Sequence, residues 1–454
     1  MKILVVGCGK VGHTLVKQLS EEGHDITVID ENAERLDRIT STLDVMGVVG
    51  NGVSFQTLNR ADIMNADLLI SVTNSDEHNL LCCLIGKKAG NCKTIALVRN
   101  PIYNDEINYL KDEFGLAMVV NPELAAAAEI SRIFRFPFAS KIDTFAKGKV
   151  DLIHFRVKKN SMLAGCTLQE VNDKLKSELL VCMVIRKSEV VIPNGDFRLE
   201  ENDLIAVVTD VSKANNIFRK IGVDMNRINH VMLLGGGTVA YYLAKRLLPS
   251  GIHVKIIEID KGRCEQLSEL LPKATIICGD ATDQELLIQE GIETVDGVAA
   301  LTGLDEENIF LSLFAQGNSD AKSVTRVNRV TFTNIIDKIE LDSIIYPHFI
   351  ASDYIVKCAR SLSISSSLNS NVETLYILAD GKAEAVEFFV HENSRVIGIP
   401  LEVLKIKKNI LICCINRNGR IIVPSGQDMI QEGDTVVVVL KEYRLKDISE
   451  ILED

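Results

Sequence analysis

Gly7-Cys8-Gly9-Lys10-Val11-Gly12 follows the apolar run Ile3–Val6, and Gly235-Gly236-Gly237-Thr238-Val239-Ala240 follows Val231–Leu234. The second motif begins about halfway along the 454-residue chain. A strand that feeds a glycine-rich turn and then a helix is the entry to a dinucleotide-binding βαβ unit. One such motif is weak evidence. Two of them, each followed at the same interval by the same landmarks, read as a duplicated nucleotide-binding protein.

The landmarks are specific. Asp30 ends the apolar run Ile26–Ile29, and Glu258 ends its counterpart Val254–Ile257. An acidic side chain there meets the ribose hydroxyls of a nucleotide. Val48-Val49-Gly50-Asn51-Gly52 recurs as Ile276-Ile277-Cys278-Gly279-Asp280-Ala281. Ala66–Thr73 recurs as Val295–Thr302, and Asp76-Glu77-His78-Asn79 as Asp305-Glu306-Glu307-Asn308. From Asp67 onward the offset is longer by one residue, so the second copy carries an insertion.

Each candidate residue has a chemical reason. Gly7 permits the tight turn, Gly9 lets phosphate approach the backbone, and Gly12 lets the helix pack on the strand. Gly235, Gly237 and Ala240 take those places in the second copy. The helix N-terminus presents free N–H groups and partial positive charge to a pyrophosphate. The Asp30 carboxylate disfavours a ribose 2′-phosphate, hence NADP, but does not separate NAD from ATP or ADP. Lys10 stands where the second copy has Thr238, and the extra cation suits a ligand with more phosphate charge at the first site. Asn51 and Asp280 follow the third strand, where polar groups can meet the adenine edge. Arg99 ends the fifth strand and reads equally as a phosphate contact or a surface ion-pair partner. The pairs Asp76-Glu77 and Asp305-Glu306 read as helix N-terminal charge, with the aspartate as cap. No clustered His, Asp and Glu set of catalytic or metal-binding spacing is present, so no metal is expected. Cys8, inside the first glycine loop, is the thiol expected to be sensitive to oxidation.

Composition bounds the class. Apolar residues make up 46% of the chain and charged residues 25%, as in globular chains with full cores. A formal charge of −12 argues against a nucleic-acid surface or an anionic-membrane face. No apolar run approaches the roughly 18 residues that span a bilayer. The eleven cysteines contain no CxxC, which suggests a reduced, cytoplasmic chain. Strand and helix alternate over 1–135 and again over 228–362, with smaller β-rich stretches at 149–212 and 372–454. The fold class is therefore α/β: two tandem Rossmann-type doubly wound parallel-sheet domains, each followed by a small α+β domain. Lys159-Asn160-Ser161 and Glu201-Asn202-Asp203 of the first small stretch parallel Glu392-Asn393-Ser394 and Glu432-Gly433-Asp434 of the second. Residues 136–149 read as a connector and Ser361–Asn371 as a serine-rich linker, both plausible hinges.

These residues resemble the TrkA family, peripheral cytosolic subunits of bacterial Trk potassium uptake built from tandem RCK units. The resemblance covers essentially the whole chain. It is carried by the first glycine motif, Thr73 with Asp76-Glu77 and Asn79, Val98-Arg99-Asn100-Pro101 with Tyr103, and Asn121-Pro122-Glu123. In the second half it rests on Glu258, Gly279-Asp280, Thr302 with Asp305-Glu306 and Asn308, and Arg326-Val327-Asn328-Arg329. Asn51 departs from the family's aspartate, and Leu97 stands where arginine is common. The resemblance implies RCK N-domains that bind NAD(H) and, in some members, ATP or ADP, each followed by an RCK C-domain. The implied contacts include Val11, Thr73, Val239 and Thr302 beside the residues named above. It further implies a homo-oligomeric ring, a tetramer, on the inner face of the cell membrane, gating a potassium-translocating subunit of the TrkH/TrkG kind. An NAD-dependent oxidoreductase, with the small domains binding substrate, is the alternative. It lacks a convincing acid–base set in either small stretch.

Overall fold

The computed structural model describes residues 1–146, 149–159, 161–175, 179–187, 189–209, 214–222, 228–328, 341–365, 371–379, 382–443 and 445–453. The expectations resting on Lys147, Gly148, Asn160, Arg329 and residues 366–370 lie outside these. The chain divides into two compact units, Met1–Arg135 with Arg227–Val356, and Phe136–Asn226 with Lys357–Asp454.

The first unit holds two copies of one sheet. β1 (Lys2–Val6), β2 (Asp25–Asp30), β3 (Met46–Val49), β4 (Leu68–Ser71), β5 (Lys93–Leu97) and β6 (Met118–Val120) lie in the order β3-β2-β1-β4-β5-β6. All neighbours are parallel. The central strands β1 and β4 are buried along nearly their whole length, so they read as apolar runs without polar alternation. Polar punctuation ends each run. Asn32 caps the helix Ala33–Thr40 by accepting from the amide of Arg35, and Asn91 closes the helix Asp76–Gly90 in the left-handed conformation.

The second half of the chain forms the second sheet of this unit. Its strands are β12 (His230–Leu234), β13 (His253–Glu258), β14 (Thr275–Cys278), β15 (Gly297–Ala300), β16 (Lys322–Arg326) and β17 (Ile344–Ile345). They adopt the order β14-β13-β12-β15-β16-β17, again parallel throughout. The extra residue can be placed. Asp30 pairs with Val49 and Glu258 with Cys278, so the insertion precedes β14, in the segment carrying the helix Lys261–Leu270.

The two sheets share a core. Ala126, Ala127, Ile130 and Phe134 from the helix Pro122–Arg135 pack in one cluster with Ala240, Leu243, Ala244 and Leu247 from the helix Thr238–Leu247. Asn121 donates from Nδ2 to the Tyr242 hydroxyl at 3.2 Å, and Ser352 Oγ lies 3.4 Å from the Val11 carbonyl oxygen. Small residues at the crossing let the helices approach closely.

The second unit also holds two sheets of one pattern. β7 (Lys141–Phe145), β8 (Val150–Arg156), β9 (Leu179–Arg186), β10 (Glu189–Val191) and β11 (Leu204–Thr209) run antiparallel in the order β10-β9-β11-β8-β7. β18 (Val372–Leu378), β19 (Ala383–Phe389), β20 (Ile410–Arg417), β21 (Arg420–Ile422) and β22 (Thr435–Leu440) run in the order β18-β19-β22-β20-β21. Phe145, Leu152, Cys182 and Val208 pack with Leu378, Ala385, Cys413 and Val439 in one core. Each small sheet therefore has both faces covered, which is why six successive residues of β8 are buried.

Two expectations about linkers are corrected. Phe136 and Phe138 sit in an aromatic cluster with Phe155 and Phe218 at centroid separations of 4.6 to 6.1 Å, and Lys141–Phe145 is an edge strand. The connector is thus part of a domain core. Ser361–Ser365 continues the helix Pro347–Ser365, so the serine-rich stretch begins as helix. Among the described residues, no helix is long and apolar enough to cross a membrane.

Candidate nucleotide sites

The crevice at each sheet lies where the strand order reverses, between β1 and β4 and between β12 and β15. Gly7 takes φ +103° and Gly235 φ +100°. Gly9 and Gly237 then N-cap the helices Lys10–Glu21 and Thr238–Leu247 with no side-chain cap. The first-turn amides are left to whatever occupies the crevice.

The acidic residues have a structural task of their own. Asp30 accepts from the Cys8 amide at 2.6 Å and the Asn32 amide at 2.8 Å. Glu258 accepts from the Gly236 amide at 2.6 Å and the Asp260 amide at 2.8 Å. Each carboxylate pins its glycine turn and keeps unused lone pairs on both oxygens for ribose hydroxyls. In the second half Arg263 Nε also donates to the Gly236 carbonyl at 2.9 Å.

In the first half Gly7, Gly9, Asp30, Asn51 and Thr73 line one cavity of about 310 Å³. Val6, Ile29, Val53, Val72 and Cys82 make its apolar wall, and Ser75 and His78 add polar groups. Lys10, Val11 and Arg99 line a second cavity of about 310 Å³. The two cavities share Gly9, Arg35, Val72 and Asn74, so they adjoin at the glycine loop. The second cavity is completed by Arg326, Asn328, Pro347 and His348 from the other half of the chain. Gly12 lines neither; it sits so close beneath the turn that an added Cβ would lie 1.8 Å from the Gly7 carbonyl oxygen.

Charge in the second cavity is mostly positive. Arg326 Nε is buried without a hydrogen-bond partner, and burial pulls its pKa down against the attraction of Glu123 and Asp305. Burial raises the Glu123 pKa against its own backbone amide and the Arg99 and Arg326 charges. Arg99 Nε stands 4.0 Å from Glu123 Oε1, and its Nη1 donates to the Thr73 carbonyl. Four cations, Lys10, Arg35, Arg99 and Arg326, thus face one carboxylate across a chamber beside a helix N-terminus. The donor set fits phosphate.

The remaining candidates are placed as follows. The Thr73 amide and hydroxyl both donate to Asn79 Oδ1, and the Thr302 amide donates to Asn308 Oδ1. Asn51 Oδ1 accepts from the Val53 amide, and Asp280 Oδ1 from the Thr282 amide. Val239 is buried at the start of its helix, with Thr238 beside it.

The capping expectation for Asp76 is corrected. Ser75 is the N-cap and accepts from the His78 amide. Asp76 is buried, and its Oδ2 accepts from the amides of Arg99 and Asn100 at 2.8 and 2.7 Å. Asp305 likewise accepts from the Asn328 amide at 2.8 Å. Both aspartates hold the fifth-strand exit beside the crevice. Arg35 and His348 escaped sequence reasoning, and Arg326 entered it only within a family motif of the second half, not as part of the first site; Arg35 recurs as Arg263 in the duplication, which was the available signal.

Cys8 is also corrected. It is buried, and burial, then the Asp30 charge, pushes its thiol up to about 12. So high a pKa leaves almost no thiolate at neutral pH. Cys278 is the exposed cysteine of the chain. Iodoacetamide is expected to label Cys278 well before Cys8, as read by peptide mass spectrometry; equal rates would contradict the burial argument.

The TrkA-N domain model matches residues 3–122 and 231–347, and the TrkA-C domain model matches residues 152–222 and 385–453. The chain is 32% identical over 446 residues to a Trk system potassium uptake protein TrkA homolog of Methanosarcina mazei, covering 96% of this chain and 97% of the relative. It is 30% identical over 451 residues to Trk system potassium uptake protein TrkA of Haemophilus influenzae, covering 98% and 96%. Among solved structures, the GsuK channel bound to NAD aligns with a TM-score of 0.61 at 18% identity, covering 97% of this chain and 77% of that one. At that identity the likeness concerns the fold.

Proposed function

This chain belongs to the TrkA family, which is not an enzyme family, and on that premise we propose that it is a nucleotide-sensing regulatory subunit of a Trk-type potassium-uptake system. Its RCK N-domains, 1–135 and 228–362, bind NAD(H), ATP or ADP. The C-domains, 149–212 and 372–454, accompany them. The assembly is a homo-oligomeric ring, a tetramer, on the cytoplasmic face of the membrane, and it gates a potassium-translocating partner of the TrkH/TrkG kind.

One observation carries this reading. The phosphate end of the first crevice opens into a basic chamber that both halves of the chain build. A ligand gates only if it favours one arrangement over another. A nucleotide whose phosphates touch Lys10 and Arg99 from one half and Arg326 from the other has that differential interaction. Asp30 and Glu258 hold the sugars, and the amides after Gly9 and Gly237 hold the pyrophosphate. Lys10, with no cation at Thr238, makes the first site the better one for ATP.

The test is potassium flux through the reconstituted complex, with calorimetry on the full-length chain. ATP or NADH is expected to change the flux, and Lys10→Ala to weaken ATP about tenfold, as for a hydrogen bond to a charged group. Flux indifferent to NAD, NADH, ATP and ADP would refute gating. Unaltered ATP affinity in Lys10→Ala would refute the role of that lysine.

A further inference from the structure

The duplicated turn after the third strand is tied down in the same way in both halves, yet it leaves opposite hydrogen-bond chemistry on the remaining side-chain atom, and in the first half that atom belongs to a residue lining the cavity. Asn51 Oδ1 accepts from the Val53 amide at 2.8 Å. Asp280 Oδ1 accepts from the Thr282 amide and hydroxyl, each at 2.8 Å. In both, one terminal atom is tied down by the turn, because only an acceptor satisfies a backbone N–H. This fixes the amide orientation of Asn51 by chemistry, since its NH2 cannot bond the Val53 amide. The atom left over is Nδ2 at Asn51, a donor with no acceptor capacity. At Asp280 it is Oδ2, an acceptor with no donor capacity.

We propose that Asn51 and Asp280 give the two nucleotide sites different base preferences: the first favours a 6-oxopurine nucleotide, guanosine or inosine, relative to the second, which favours adenine. This rests on the nucleotide reading above and concerns the base alone, at equal phosphate number, the preference for more phosphate charge at the first site being set by Lys10. With phosphates at the Gly9 end and the sugar at Asp30, the base falls in the cavity whose wall includes Gly50–Val53. Adenine carries an exocyclic amine at C6 and guanine or hypoxanthine a carbonyl oxygen. The amine suits Asp280 Oδ2, whereas the carbonyl suits Asn51 Nδ2. Two donors facing each other leave both unsatisfied. A site built to hydrogen-bond one group penalises the analogue that lacks it. Adenine ring nitrogens still accept from Nδ2, so the result is a shifted preference and not exclusion.

The experiment titrates the full-length chain with ADP, GDP and IDP by calorimetry, in the natural sequence and in Asn51→Asp and Asp280→Asn. Asn51→Asp is expected to tighten ADP and weaken IDP, moving their affinity ratio at the first site by about tenfold. Asp280→Asn is expected to move the ratio the other way at the second site. Thermal melting without nucleotide checks that each variant folds, because both substitutions preserve the atom that accepts from the turn. If nucleotides bind but neither ratio moves, the base-edge inference is overturned and the nucleotide reading stands. If the natural chain binds none of the three, nor ATP or NAD, the nucleotide reading itself falls and takes this inference with it.

Discussion

Gly7→Ala is expected to empty the first nucleotide crevice and to destabilise the first sheet by about 3 kcal/mol, the scale of a strained backbone plus a buried clash. Two independent penalties meet at this residue. Its φ of +103° is a conformation that side-chain-bearing residues rarely adopt. An added Cβ would also lie 3.0 Å from the Val72 carbonyl carbon and oxygen and from the Thr73 nitrogen. Those backbone atoms have little room to retreat. The Val72 amide donates to Val6 at 2.8 Å, and the Thr73 amide to Asn79 Oδ1 at 2.8 Å. Gly7 itself donates to the Ile29 carbonyl. Gly235 repeats the geometry against Leu301 and Thr302, so Gly235→Ala should do the same to the second site alone. Gly12 differs: its counterpart is Ala240, so the helix start can stand off far enough for a methyl group. ADP titration and urea melts of the two alanine variants decide the matter. Wild-type ADP affinity at the first site in Gly7→Ala would show that the turn is not what binds phosphate.

The large sheets were legible because their signals are local and repeated. β1 follows from the run Ile3–Val6 before the glycines and β2 from the run Ile26–Ile29 before Asp30, and duplication placed β12 and β13 with equal force. The strand edges agree within two residues wherever an apolar run meets a polar stop. Three things were not legible, each for a physical reason. Lys141–Phe145 carries lysine, aspartate and threonine, because Lys141 at this edge is exposed and Asp143 lies 3.0 Å from His154 on the neighbouring strand, so composition read it as connector. Asp76 looks like a helix cap from sequence alone. Its burial against Arg99 and Asn100 depends on β5 ending beside it, a contact between residues far apart in the chain. Arg326 and His348 reach the first crevice only because the second half packs against the first, and no pattern within one repeat encodes that. The first site's residues near the glycines could be read; the far wall of the basic chamber beside them could not.

Asp434→Ala is expected to cost about 3 kcal/mol, the low end of the range for breaking a buried ion pair. The carboxylate is 1% exposed. It accepts from Arg417 Nε at 2.9 Å and Nη2 at 2.8 Å, and from the Gln431 amide at 2.8 Å. Arg417 Nη2 also donates to the Met429 carbonyl, so one guanidinium ties β20 to the segment that leads into β22. Removing the carboxylate strands the arginine in a partly buried position and releases the turn amide. The first small sheet carries the same clamp: Asp203 accepts from Arg186 Nε at 2.8 Å and Nη2 at 2.7 Å, and from the Glu200 amide at 2.8 Å. There burial raises the Asp203 pKa, but hydrogen bonds from Arg186 and the Glu200 amide, with the Arg186 charge, more than offset it, leaving it below the usual carboxylate value. A depressed folded-state pKa adds stability above the unfolded value of about 4 and loses it as pH falls through the folded value. Acid should therefore loosen the first small sheet, and Asp203→Ala should flatten that dependence. Urea midpoints measured from pH 3 to 7, together with hydrogen exchange of the β22 amides in Asp434→Ala, read both effects. An unchanged midpoint and unchanged exchange in Asp434→Ala would mean that the clamp is surface decoration, and that apolar packing around Val436 and Val438 alone holds the sheet.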